Sequence, residues 1–135
     1  MESSFYHLQV NVNIKNKAWY GKLMEALGWT ESYDDETMLG FSDPSGVSIW
    51  FSESEVQKTQ NYDAFGTNHI SIKVGKQSDV DEIEKVVREM ASDMLFETPK
   101  HRPEFVRDAT ETYYQIMFES PDGILFEVVY VGKKD

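Results

Sequence analysis

Alternation of polar and apolar positions dominates the chain. Residues 5–12 alternate, with His7, Gln9 and Asn11 on one side and Leu8, Val10 and Val12 on the other, which predicts a half-buried strand. Helical spacing follows over 17–27: Trp19, Tyr20, Leu23 and Leu27 form the apolar stripe, Asn16 stands as N-cap and Gly28 as stop. Strands are expected at 29–34, 37–41 and 47–53, with Asp43-Pro44-Ser45-Gly46 as the turn before the last. Residues 54–66 are polar and aperiodic.

The same order then returns. Residues 68–74 alternate, with His69, Ser71 and Lys73 opposite Ile70, Ile72 and Val74. Val80, Ile83, Val87 and Met90 fall at helical spacing, and Ser78 with Asp81 resembles a capping box. A short strand is expected at 94–97, a long polar loop at 98–112, and a closing hairpin at 113–119 and 124–131 around Ser120-Pro121-Asp122-Gly123. His69 lies 62 residues after His7, and the Ser120-Pro121-Asp122-Gly123 turn lies 77 after Asp43-Pro44-Ser45-Gly46, the difference matching the longer second loop. At the second offset Glu127 corresponds to Trp50. The reading is one domain, 1–135, made of two modules, 5–53 and 68–131, with a linker at 54–67.

Composition narrows the function. The chain has 135 residues, no cysteine, and a formal charge of −11. Such acidity argues against nucleic acid and anionic membrane as partners, and an anionic substrate would need a local positive centre. No apolar run approaches the ~20 residues of a membrane span. Together with the lack of cysteine this predicts a cytoplasmic protein.

Candidate chemistry begins at Glu127, a carboxylate inside an apolar strand. A buried charge is costly unless it is paired or holds a metal. His7 and His69 open equivalent alternating runs, which gives two histidines and one carboxylate on three strands. Strand alternation puts Gln9 and Asn11 beside His7, and Ser71 beside His69. A hairpin bulge at Gly123 sets Met117 opposite Glu127, with Gln115 and Tyr113 further along that face. Trp50 and Ser48 line the cavity from the first module. These eight residues are the expected substrate pocket.

The order of these pieces resembles the vicinal oxygen chelate superfamily, which includes glyoxalase I, fosfomycin-resistance transferases, extradiol dioxygenases and bleomycin-resistance proteins. The resemblance is carried by His7, by Trp19-Tyr20 with Leu27-Gly28, by His69, and by Ser120-Pro121-Asp122-Gly123-Ile124-Leu125-Phe126-Glu127. It implies an α+β fold of two βαβββ modules forming a half-open barrel. It also implies one divalent ion (Zn, Ni, Mn or Fe) on His7, His69 and Glu127, with the fourth slot of glyoxalase I falling on Trp50, which is no ligand. The expected function is a metal-dependent enzyme that chelates a small oxygen-rich substrate through two oxygens. The alternative is a non-catalytic, ligand-sequestering protein of the bleomycin-resistance type. A homodimer is expected by the same analogy.

Overall fold

The computed structural model describes residues 1–135. The chain divides into two compact units, Met1–Thr59 and Gln60–Asp135. Both follow one element order, strand, helix and three strands, so the α+β class and the βαβββ modules are as the sequence predicts. No helix is long and apolar enough to cross a membrane.

The first unit contains β1 (His7–Val12), α1 (Lys17–Ala26), β2 (Thr30–Asp34), β3 (Met38–Ser42) and β4 (Ser48–Glu53). Its sheet is open, in the order β1-β4-β3-β2, with β1 parallel to β4 and the other pairs antiparallel. The parallel pair is possible because α1 and the β2–β3 hairpin supply the crossover that a tight turn cannot. Alternation drives one face of the sheet inward. Val12, Leu39, Phe41, Ile49 and Phe51 are buried there with Tyr20, Leu23 and Met24 of α1. Tyr20 stacks on Phe51 with ring centroids 4.5 Å apart. Gly28, at φ +80°, ends the helix in the left-handed conformation that glycine adopts without steric cost. Asn16 holds the N-cap position, but its side chain makes no cap bond. Asn13 caps the short 3-10 turn Ile14–Asn16 instead, accepting from the Lys15 amide at 3.1 Å.

The second unit contains β5 (His69–Lys73), α2 (Gln77–Glu89), β6 (Lys100–His101), β7 (Glu111–Glu119) and β8 (Leu125–Lys133). Its sheet, β5-β8-β7-β6, repeats the first topology. Val80, Ile83 and Val87 of α2 are buried, as are Ile116, Phe118, Phe126 and Val128. The cap of α2 differs from the expected Ser78–Asp81 pair. Asp79 accepts from the Lys76 amide at 3.0 Å, and Asp81 accepts from the Tyr114 hydroxyl at 2.7 Å, tying the helix to β7.

The strand expected at 94–97 is a single bridge, Met94 with Phe118. Phe96 and Glu97 take left-handed φ values of 54° and 62°, which no extended strand tolerates. Thr98 replaces the missing ladder: its hydroxyl accepts from the Met117 amide at 3.0 Å and donates to the Leu95 carbonyl at 2.7 Å. The edge strand forms later, at Lys100 and His101, which pair with Gln115 and Tyr114. That position falls inside the loop expected at 98–112.

Register supports the sequence repeat. In the first sheet Trp50 lies between Gln9 and Gly40. In the second Glu127 lies between Ser71 and Met117. The 62- and 77-residue offsets carry each member of the first trio onto its counterpart in the second.

A carboxylate held by three neutral donors

Glu127 occupies the middle of β8 on the face turned away from α2. Only 4% of its surface is exposed. Three side chains of neighbouring strands donate to it. Ser71 Oγ on β5 lies 2.5 Å from Oε1. The Tyr113 hydroxyl on β7 lies 2.9 and 3.0 Å from the two oxygens. Gln115 Nε2, also on β7, reaches Oε2. Strand alternation explains the set: positions 113 and 115 share a face, and register places 71 and 117 beside 127. Met117, buried, completes the floor.

Arg102 extends the network. Its Nη1 donates to Gln115 Oε1 at 3.3 Å, so the Gln115 amide group is held with its NH2 toward Glu127. Arg102 itself is spent elsewhere: its Nε pairs with Glu104 at 2.5 Å, and its guanidinium lies 4.9 Å over the Phe105 ring. Burial, and then the hydrogen bond and charge of Glu127, push the Tyr113 phenol up to about 12, with Arg102 pulling weakly the other way.

His69 opens β5 two residues before Ser71 and so shares the face of Glu127. Its ring is exposed, with Nδ1 2.8 Å from Asn68 Oδ1. The first unit presents the equivalent face. His7, Gln9 and Asn11 are exposed along β1. Trp50 donates from Nε1 to Ser48 Oγ at 3.0 Å, and its indole lies flat on Gly40, where a Cβ would sit 2.7 Å from the ring. The Tyr33 ring stands 5.8 Å from it.

Of the residues expected in the site, the second unit therefore brings Ser71, Tyr113, Gln115, Met117 and Glu127 together, with His69 on the same face. The first unit sets His7, Gln9, Asn11, Ser48 and Trp50 on one face of its own. No group of three or more His, Asp or Glu side chains stands placed to hold a metal. The sequence reading missed Asn68 and Gly40 altogether. An asparagine directly before a strand histidine, and a glycine opposite a tryptophan in register, were the available signals.

The donor chemistry fits a divalent cation. None of the four ion pairs involves Glu127: the side chains that touch its carboxylate are neutral, and the Arg102 guanidinium stands one residue further out, on Gln115. A carboxylate offers about four lone-pair sites. Ser71, Tyr113 and Gln115 supply one hydrogen each, which leaves acceptor capacity on a group that no cationic side chain touches. Imidazole and carboxylate together suit first-row divalent ions.

No family model matches the chain, and no curated protein matches it significantly in sequence. Solved structures do. A glyoxalase-like protein from Bacillus halodurans superposes with a TM-score of 0.78 at 19% identity, over 96% of each chain. A glyoxalase/bleomycin resistance protein from Albidiferax ferrireducens gives 0.74 at 16%, covering 95% of this chain and 99% of its own. The fosfomycin resistance protein FosX from Listeria monocytogenes, solved with Mn(II) and sulfate, gives 0.67 at 23%, covering 96% and 91%. At these identities the likeness is one of fold, and it is the vicinal oxygen chelate fold that the sequence motifs imply.

Proposed function

We propose that this chain is a divalent-metal-dependent enzyme of the glyoxalase, fosfomycin-resistance and dioxygenase type, acting on a small oxygen-rich substrate. The observation that carries the reading is the buried Glu127 carboxylate, held by three neutral donors and touched by no cationic side chain. The proposed ligands are His7, His69 and Glu127. Support for a metal comes also from the FosX neighbour, solved with Mn(II), and from a variant of it solved with Mn(II) and dihydroxypropylphosphonic acid.

A bound ion would supply Lewis acidity toward two adjacent substrate oxygens. The chain's own residues do the rest. Ser71, Tyr113 and Gln115 fix the rotamer of Glu127, so the carboxylate is preorganised. Tyr113 keeps its proton well above neutral pH and so stands as a hydrogen-bond donor on this face, never as a phenolate base at pH 7. Met117 sets an apolar side chain beside these polar groups, the mixture usual in a small-molecule site.

The test is metal analysis of protein purified without chelators or metal-affinity resin. One divalent ion per chain is expected, with the ion lost from both His7→Ala and Glu127→Ala. Stoichiometric metal in both variants overturns the ligand assignment. A wild-type chain that takes up no ion at all would favour the ligand-sequestering alternative.

A further inference from the structure

We infer that Asn68 is a positioning residue: it fixes the tautomer of His69 and makes Nε2 the atom that this ring offers to a ligand. The inference starts one contact further out, at the Tyr62 carbonyl. That oxygen only accepts, and Asn68 Nδ2 donates to it at 2.9 Å. A reversed amide group would set oxygen against oxygen. The other end of the amide, Oδ1, is therefore the atom 2.8 Å from His69 Nδ1. An amide oxygen only accepts as well, so Nδ1 carries the hydrogen. A neutral imidazole has one, and its lone pair is left on Nε2.

The clamp is anchored. The Gln60 amide donates to the Asp122 carbonyl at 2.9 Å, and the Ala64 amide to the Asn61 carbonyl at 3.1 Å. The Tyr62 ring packs edge-on against Phe96, centroids 6.5 Å apart. The polar stretch between the modules thus has a task at its end: it presents a carbonyl that orients Asn68, which orients His69. Nothing comparable acts on His7, whose ring meets the Tyr6 ring at 5.3 Å and makes no hydrogen bond within its unit. The two histidines are equivalent in the repeat and differ in this control. For the use made of Nε2 the inference rests on the metal-dependent reading; the tautomer itself does not.

The experiment is nitrogen NMR of the imidazoles in the full-length, chelator-treated chain at about pH 8, where free histidine is neutral. His69 is expected as the Nδ1–H tautomer, with His7 as the solution-like mixture in which Nε2–H prevails. Asn68→Ala should move His69 to that mixture, while Asn68→Asp, which keeps an acceptor beside Nδ1, should preserve Nδ1–H. Zinc or manganese titration should show affinity falling about tenfold or more in Asn68→Ala, the usual cost of losing such a partner, and partly restored in Asn68→Asp, which keeps the acceptor for Nδ1 but not the donor to the Tyr62 carbonyl. His69 found as Nε2–H in the wild type, or unchanged in Asn68→Ala, overturns the inference. So does a loss of affinity without a tautomer change, since that loss would be merely structural. The expected tautomers in a chain that binds neither metal would uphold the role of Asn68 and sink the metal assignment alone.

Discussion

At the scale of single residues, Tyr113 is where the network around Glu127 is most open to measurement. Its phenol is raised to about 12 by burial and by Glu127. The unfolded chain would ionise it near its ordinary value of 10.0. The folded state therefore binds this proton more tightly, and the linked stability is fully present below about pH 10 and lost as pH rises through about 12. Phenolate absorbance should show a late-ionising tyrosine that Tyr113→Phe removes, although Tyr114, raised likewise to about 12 by burial and Asp81, remains. Losing a hydrogen bond to a buried carboxylate should also cost about 1.5–3 kcal/mol in urea denaturation at neutral pH. An unchanged alkaline titration in the variant would refute the placement of that proton. Much of this network was legible in the sequence, because alternation alone puts positions 113, 115 and 117 on one face and register follows from the hairpin turn. The Arg102–Gln115 and Tyr62–Asn68 contacts were not, because both come from irregular backbone that no period describes.

At the scale of elements, the two modules show how one framework carries two chemistries. The fourth strand of each bears the distinctive residue, Trp50 or Glu127, and the facing third strand adapts to it. Opposite Glu127 stands Met117; opposite Trp50 stands Gly40, because the indole lies on the backbone there and leaves no room for a side chain. Gly40 carries none of the left-handed φ values, so alanine fits its backbone and only the ring opposes it. Gly40→Ala should therefore destabilise the protein by about 1–3 kcal/mol, the cost of overpacking. Combined with Trp50→Leu, the penalty should shrink, because the flat ring is gone and the two effects are coupled. Thermal melting of the single and double variants measures this, and a fully additive pair would show that the indole does not rest on Gly40. Helices and long strands were legible because their apolar periods are strong. The edge strand β6 was not: it has two residues, and a left-handed pair at Phe96 and Glu97 displaces it from the segment whose composition suits a strand.

At the scale of the whole molecule, net charge and exposed apolar surface pull against each other. Phe5, Tyr6 and Tyr33 are exposed in the first unit, and Phe65, Phe96 and Phe105 in the second. β1 and β5 each stand at the edge of an open sheet, where unpaired backbone groups invite a further strand. Both features favour self-association, and the expected state is a homodimer. Against it stands the formal charge of −11, which any two copies must bring together. Like-charge repulsion of this kind acts over a Debye length, which shrinks from about 30 Å at 0.01 M salt to about 8 Å at physiological ionic strength. Apolar contacts are not screened in this way. Light scattering at micromolar concentration should therefore return a dimer mass at physiological salt, with the dimer weakening as salt is withdrawn. Dissociation on adding salt would mean that ion pairs, and not apolar surface, hold the copies together. A monomer mass at both salt concentrations would remove the dimer from the account, and would leave the Glu127 network standing, because every donor to that carboxylate belongs to its own unit.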